Sequence, residues 1–114
     1  MRPEQLYLQD IVEAASSIGR FLEGVAKHRF MTDDLVSSAV LQKLSIIGEA
    51  ASRIPASTRN AYSYIDWREI TAFRNILVHA YFAIDLDLIW TAATREVPEL
   101  ARQVREILDK DYST

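Results

Sequence analysis

The sequence predicts an all-α fold, an antiparallel bundle of four main helices with the last split or kinked near Pro98, so that four or five helices result. Three features of the chain point there. Apolar residues recur at steps of three and four in every long segment, and no stretch alternates with the period of two that a half-buried strand requires. Three Gly and three Pro in 114 residues are too few for a turn-rich sandwich or barrel. The length suits one domain spanning 1–114, and 49% apolar with 25% charged residues is globular usage.

The first helix is expected from Pro3 to about Lys27, with Leu8, Ile11, Ala15, Ile18, Leu22 and Val25 as its buried stripe. His28, Arg29 and Phe30 interrupt that pattern, and His28 is read as a helix-end residue capping carbonyls. Thr32 followed by Asp33 and Asp34 supplies an N-cap and an acidic first turn for the second helix. Its stripe runs Val36, Val40, Leu44, Ile47, Ala51 and Ile54 until Pro55 stops it. Gly48 lies inside this helix, where Gly costs about 1 kcal/mol against Ala, so a neighbouring helix is expected to approach closely there. Residues 56–65 show no period and read as the one long loop.

Asp66-Trp67-Arg68-Glu69 has the form of a capping box. The third helix then turns Trp67, Ile70, Phe73 and Leu77 inward and fades near residues 80–82. Asp85 or Asp87 opens the fourth through Leu86, Ile89, Trp90 and Ala93. Pro98 suits the first turn of the final segment, with Leu100, Ala101, Val104, Ile107 and Leu108 buried. Trp67 and Trp90 sit on these apolar stripes and read as core anchors.

Composition excludes several function classes. There is no cysteine, hence no disulfide scaffold, zinc ribbon, thiol nucleophile or Cys-ligated cluster. Arg2, Glu4 and Asp10 break up any signal peptide, and the longest charge-free apolar stretch, residues 75–84, falls well short of the roughly 20 residues a membrane span needs. The expected location is cytoplasmic, with no membrane partner. A net charge of −3 argues against a general nucleic-acid coat, which must neutralise many phosphates. It leaves room for a small basic site, and ten of the 13 basic residues are Arg, whose planar fork grips phosphate.

One constellation could carry chemistry. Arg74, Asn75, His79 and Tyr81 fall in a segment otherwise apolar, and polar groups in an apolar helix are costly unless they face something. On an ideal helix Asn75 and His79 lie ~40° apart and Arg74 and Tyr81 ~20°, whereas Arg74 and His79 are ~140° apart. A two-fold homodimer would let Arg from one copy meet His from the other. Arg holding phosphate and an imidazole moving protons suit cleavage of RNA by its own 2′-hydroxyl, with no metal or cofactor because the nucleophile belongs to the substrate. From spacing alone, an Arg and a His five apart are common by chance, and a pair that merely closes a helix end onto the dimer partner is the commoner reading.

The ordered set Ile46-Ile47-Gly48-Glu49-Ala50, Ile65-Asp66-Trp67-Arg68-Glu69-Ile70, Phe73-Arg74-Asn75-Ile76-Leu77-Val78-His79, Tyr81-Phe82, Ile89-Trp90 and Val97-Pro98 resembles the HepT-like ribonuclease toxins of the HEPN superfamily. The family signature is filled by Arg74, Asn75, His79 and Tyr81; Ala80 stands where many relatives carry an acidic residue. The resemblance implies a HEPN-type bundle dimerising through its motif helices and a metal-independent endoribonuclease toxin acting on RNA such as tRNA or mRNA. It further implies catalytic Arg74 and His79, an orienting Asn75, and a minimal nucleotidyltransferase antitoxin that adds AMP to Tyr81. The alternative is a catalytically silent binding subunit that docks such a nucleotidyltransferase.

Other residues are candidates for supporting roles. Glu49 could orient Arg74 or a dimer-related Arg through a bidentate pair, or stand as a solvated carboxylate. Arg53, Arg59 and Arg68 flank the segment before the motif helix, where they could grip the RNA backbone. Tyr62 and Tyr64 in that segment could stack on bases.

Overall fold

The computed structural model describes residues 2–76 and 85–113, and among them every regular element is helical. Helix α1, Glu4–Phe21, buries Leu8, Ile11, Ala15 and Ile18 as the stripe predicts. It stops about six residues before the expected Lys27 end. The Leu22 N–H closes onto the Ile18 carbonyl at 3.0 Å and Gly24 takes a φ of +72°, a left-handed conformation that ends helical propagation. Leu22 and Val25 still pack on the core, but from this turn.

Where an interruption was expected, a short helix α2, Lys27–Thr32, carries Phe30 into full burial. His28 is exposed in its first turn rather than capping a helix end; its backbone carbonyl accepts from the Thr32 hydroxyl at 3.1 Å. Thr32 is therefore occupied with α2, and Asp33 takes the N-cap of α3, Asp34–Ser52, accepting from the Leu35 and Val36 N–H groups at 3.1 and 3.2 Å. Val40, Leu44, Ile47 and Ala51 of α3 are fully buried, followed by Ile54 just before Pro55.

The expected loop contains a helix, α4, Ala56–Ala61, that buries none of its side chains. With nothing to bury it needs no apolar stripe, which is why no period betrays it. Helix α5, Trp67–Ala72, starts at the Asp66 cap, whose carboxylate accepts from Glu69 N–H at 3.1 Å. It tightens into a 3₁₀ turn at Phe73–Asn75. Leu77 and Val78, expected on its inward faces, lie outside the described residues.

Asp85 caps α6, Leu86–Thr91, accepting from Asp87 and Leu88. A π-helical turn, Ala92–Glu96, then leads into α7, Val97–Asp111, with Pro98 in its first turn. The predicted split is thus a widened turn just upstream of the proline. Pro98 has no N–H to give and its ring crowds the carbonyl four residues back, so a wider turn there removes the conflict without ending the helix.

Contacts at the two ends fix the topology. At one end Glu4, opening α1, accepts from Thr58 of α4 and from Tyr112 just beyond α7, and Tyr62 donates to Asp111 at 2.8 Å. At the other, Lys27 pairs with Asp87, and the Phe30 and Trp90 rings stand 5.3 Å apart. Helix α1 therefore runs against both α3 and α7, as the antiparallel bundle requires, and α1, α3 and α7 share one core.

Candidate active site

Helix α5 is anchored at its start and leads its polar residues outward. Trp67 is buried and its indole N–H donates to the Tyr62 carbonyl at 3.1 Å, fixing the first turn. From there the helix lies along the end of α3, and the approach is as close as Gly48 predicts. A Cβ on Gly48 would stand 2.1 Å from the Arg74 backbone nitrogen and 2.7 Å from the Phe73 carbonyl carbon. Only a residue without a side chain lets the backbone of the 3₁₀ turn rest there. Arg74 and Asn75 are exposed on this turn, held from behind by α3.

Glu49 adjoins that seat but does not reach Arg74 within the chain. Its carboxylate is half-exposed and accepts from Arg53 one turn along, at 3.2 Å from Nε and 3.1 Å from Nη2. Glu69 has its carboxyl pushed above the usual range, chiefly by its hydrogen bond with Asp66 and by the Glu96 charge. That acidic group lies by the apolar hollow between α5 and α7, lined by Ile70, Phe73, Val97 and Leu100.

The three arginines expected to flank the motif helix part company. Arg59 and Arg68 line one open cleft of about 840 Å³ at the α4–α5 corner, together with Tyr64 and Thr71. Arg53 is drawn to Glu49 and faces a separate hollow beside Arg2 and Tyr7. Tyr62 is committed to Asp111, while Tyr64 remains 61% exposed. Thr71 was not singled out by sequence. Its signal is the three-residue spacing Arg68, Thr71, Arg74, a row down one side of the helix. His79 and Tyr81 lie outside the described residues. Among the described residues no three His, Asp or Glu side chains gather as metal ligands, and no helix is long and apolar enough to cross a membrane.

The chemistry open to this surface follows from its donors. The Arg74 guanidinium has no carboxylate partner among the described residues, so its fork is available to an incoming phosphate. The fold and this turn define an all-α bundle that offers an arginine on a glycine-seated helix turn. The chain belongs to the HepT-like ribonuclease family, whose model, described as Ribonuclease HepT-like, matches residues 11–107. It is 33% identical over 97% of its length to a protein of Caldanaerobacter subterraneus subsp. tengcongensis named "Putative RNase", covering 99% of that chain. It is 35% identical over 87% of its length to "Probable ribonuclease HepT" of Thermococcus cleftensis, covering 90% of that protein. A "Putative RNase" of Methanocaldococcus jannaschii is 33% identical over 90% of this chain and 94% of its own. No solved structure matches.

Proposed function

We propose that this ribonuclease-family protein is a metal-independent endoribonuclease whose site is composite, with Arg74 and His79 of two copies meeting at a two-fold axis. The substrate 2′-hydroxyl attacks the adjacent phosphorus and the 5′-oxygen of the next nucleotide leaves. His79 takes the 2′-hydroxyl proton, and the second copy's imidazole returns one to the leaving oxygen. Arg74 neutralises the non-bridging oxygens as charge builds on them, with Asn75 orienting the pair. The products are a 2′,3′-cyclic phosphate and a 5′-hydroxyl. The observation that carries this reading is the seat of Arg74 on Gly48, which presents a guanidinium with no carboxylate partner among the described residues on a turn braced by backbone rather than by mobile side chains.

The resemblance supports the biological setting: a cytoplasmic toxin paired with a minimal nucleotidyltransferase antitoxin that adds AMP to Tyr81. Tyr81 follows Arg74 by seven residues, about 10.5 Å if the helix continues. An adenylyl phosphate there would compete with the RNA phosphate for Arg74. In dimer form Glu49 would have a second arginine within its reach besides Arg53.

The test is cleavage of total RNA in EDTA by protein stripped of modification. Arg74→Ala and His79→Ala should each lower the rate by about 10²-fold or more with unchanged helical content. Unmodified wild type that cuts no RNA ends the enzyme reading. A solution mass near 13.0 kDa removes the composite site, and an equal mass gain of wild type and Tyr81→Phe with antitoxin and ATP moves the AMP acceptor elsewhere.

A further inference from the structure

We infer that the cleft at the α4–α5 corner is a binding subsite for single-stranded RNA beside the point of cleavage, with Arg59 and Arg68 on phosphates and Tyr64 stacked on a base. The inference rests on the ribonuclease reading and specifies where that enzyme holds the strand flanking the scissile bond.

Three observations converge on this cleft. The first is charge without a partner. Arg2, Arg20, Arg29, Arg53 and Arg102 each engage a side chain of the protein. Arg59 and Arg68 have no such partner among the described residues, although they line the same wall. Two guanidinium groups sharing a cleft repel each other unless an anion lies between them. Among the described residues the only carboxylate on that wall, Asp66, already has an oxygen on the Glu69 N–H.

The second is the aromatic ring. Tyr64 is 61% exposed, yet it is braced edge-on by Tyr62, with ring centroids 6.2 Å apart at 76°. Tyr62 is itself pinned by its hydroxyl to Asp111. An exposed ring held in place has a free face for a base, and such stacking tolerates any sequence. Asn60 on the same wall can hydrogen-bond a base edge or a ribose.

The third is continuity. Arg68 and Thr71 line the cleft, and the same three-residue row continues to Arg74. The α-helical step from Arg68 to Thr71 turns the row by about 60°, and the 3₁₀ turn at Phe73–Asn75 reduces the swing of the next step to Arg74. Arg68 and Arg74 are separated by about 9 Å along the helix axis, a gap that a short stretch of strand bridges. A strand with one phosphate at Arg74 would enter the cleft by way of Thr71, which lines its edge. Such a subsite gives a net-acidic protein its RNA affinity from a local concentration of arginines.

The decisive measurement is binding of a fluorescein-labelled 2′-O-methyl oligouridine 12-mer, which cannot be cut, at a series of salt concentrations. Arg59→Ala/Arg68→Ala should weaken binding at least about 10-fold at low salt. It should also reduce the slope of log affinity against log salt by about 1.4, from two phosphates at about 0.7 each for a single strand. Tyr64→Ala should lose about 5-fold or more with the slope unchanged, and Tyr64→Phe should retain affinity. Arg105→Ala, an exposed arginine of α7 outside the cleft, serves as the control and should leave affinity and slope as in wild type. Wild-type affinity and slope in the double variant would overturn the subsite, as would a loss no larger than that of Arg105→Ala. Because the probe is uncleavable, a wild type that fails to cut RNA in EDTA refutes the nuclease reading without altering this binding result.

Discussion

Helix α3 receives its neighbours α1 and α5 in opposite ways. Towards α1 both helices contribute rows of fully buried side chains to one core: Leu8, Ile11 and Ile18 from one, Val40, Leu44 and Ile47 from the other. That interface is broad, and no single atom decides it. Towards α5 only Trp67 is buried from the partner helix, and the turn that follows rests its backbone on the bare Cα of Gly48. The two glycines inside these helices record the difference: a Cβ on Gly19 of α1 would meet nothing within 4 Å, whereas one on Gly48 would collide with main chain. The bundle is thus stabilised by shared burial, and the arginine-bearing turn is positioned at one point of contact.

Gly48→Ala is the severest test of this contrast. The atoms in the way are backbone, which cannot rotate aside as the tip of a long side chain does. A loss of about 2–3 kcal/mol in unfolding free energy is expected, with displacement of Arg74 and a fall in RNA cleavage per folded molecule. Urea unfolding and the cleavage assay check both, and wild-type values for the pair would mean that α5 is not seated through Gly48.

The next effect concerns how the start of α1 is tied down. Tyr112 donates to Glu4, which also accepts from Thr58. Tyr112→Phe should cost about 1 kcal/mol at neutral pH, the usual size for one hydrogen bond, and leave cleavage intact. The phenol is pushed up to about 12 by burial and by its hydrogen bond to Glu4. A pKa raised on folding favours the neutral form, so this contribution is fully present below the unfolded value near 10. It is lost as pH rises from about 10 through 12. The wild-type urea midpoint should therefore fall towards that of Tyr112→Phe across this window; a constant gap between the two would contradict the clasp.

The smallest effect has the opposite sign. With open space at its Cα, Gly19→Ala should stabilise the protein by about 0.5–1 kcal/mol through helix propensity alone. Thermal unfolding reads this directly, and a destabilised Gly19→Ala would show that α1 hides a close contact on its outer face.

Much of this contrast is legible in the chain. The stripes of α1, α3 and α7, the Asp66 cap and Pro55 as a stop follow from local rules, and the structure places them where those rules do. Gly48 announces a close neighbour because its cost inside a helix needs a reason. The end of α1 and the helix α4 are misjudged from opposite causes: Leu22 and Val25 keep a helical spacing while packing from a turn, and α4 is helical with no side chain to bury. The split before Pro98 is foreseen but not its form, since a π turn has no periodic signature of its own.

The sequence by itself determines the helical class, the main buried stripes and the presence of Arg74, Asn75, His79 and Tyr81 in family order, because these depend on residue type and short spacing. Only the tertiary structure decides which arginines are free. Arg53, Arg59 and Arg68 look alike along the chain. Folding gives Arg53 a carboxylate one turn away and brings Arg59 and Arg68 to one wall with no such partner among the described residues. Glu49 likewise pairs within its own helix, because a partner one turn along is always within reach, whereas one on another helix depends on how the two are packed.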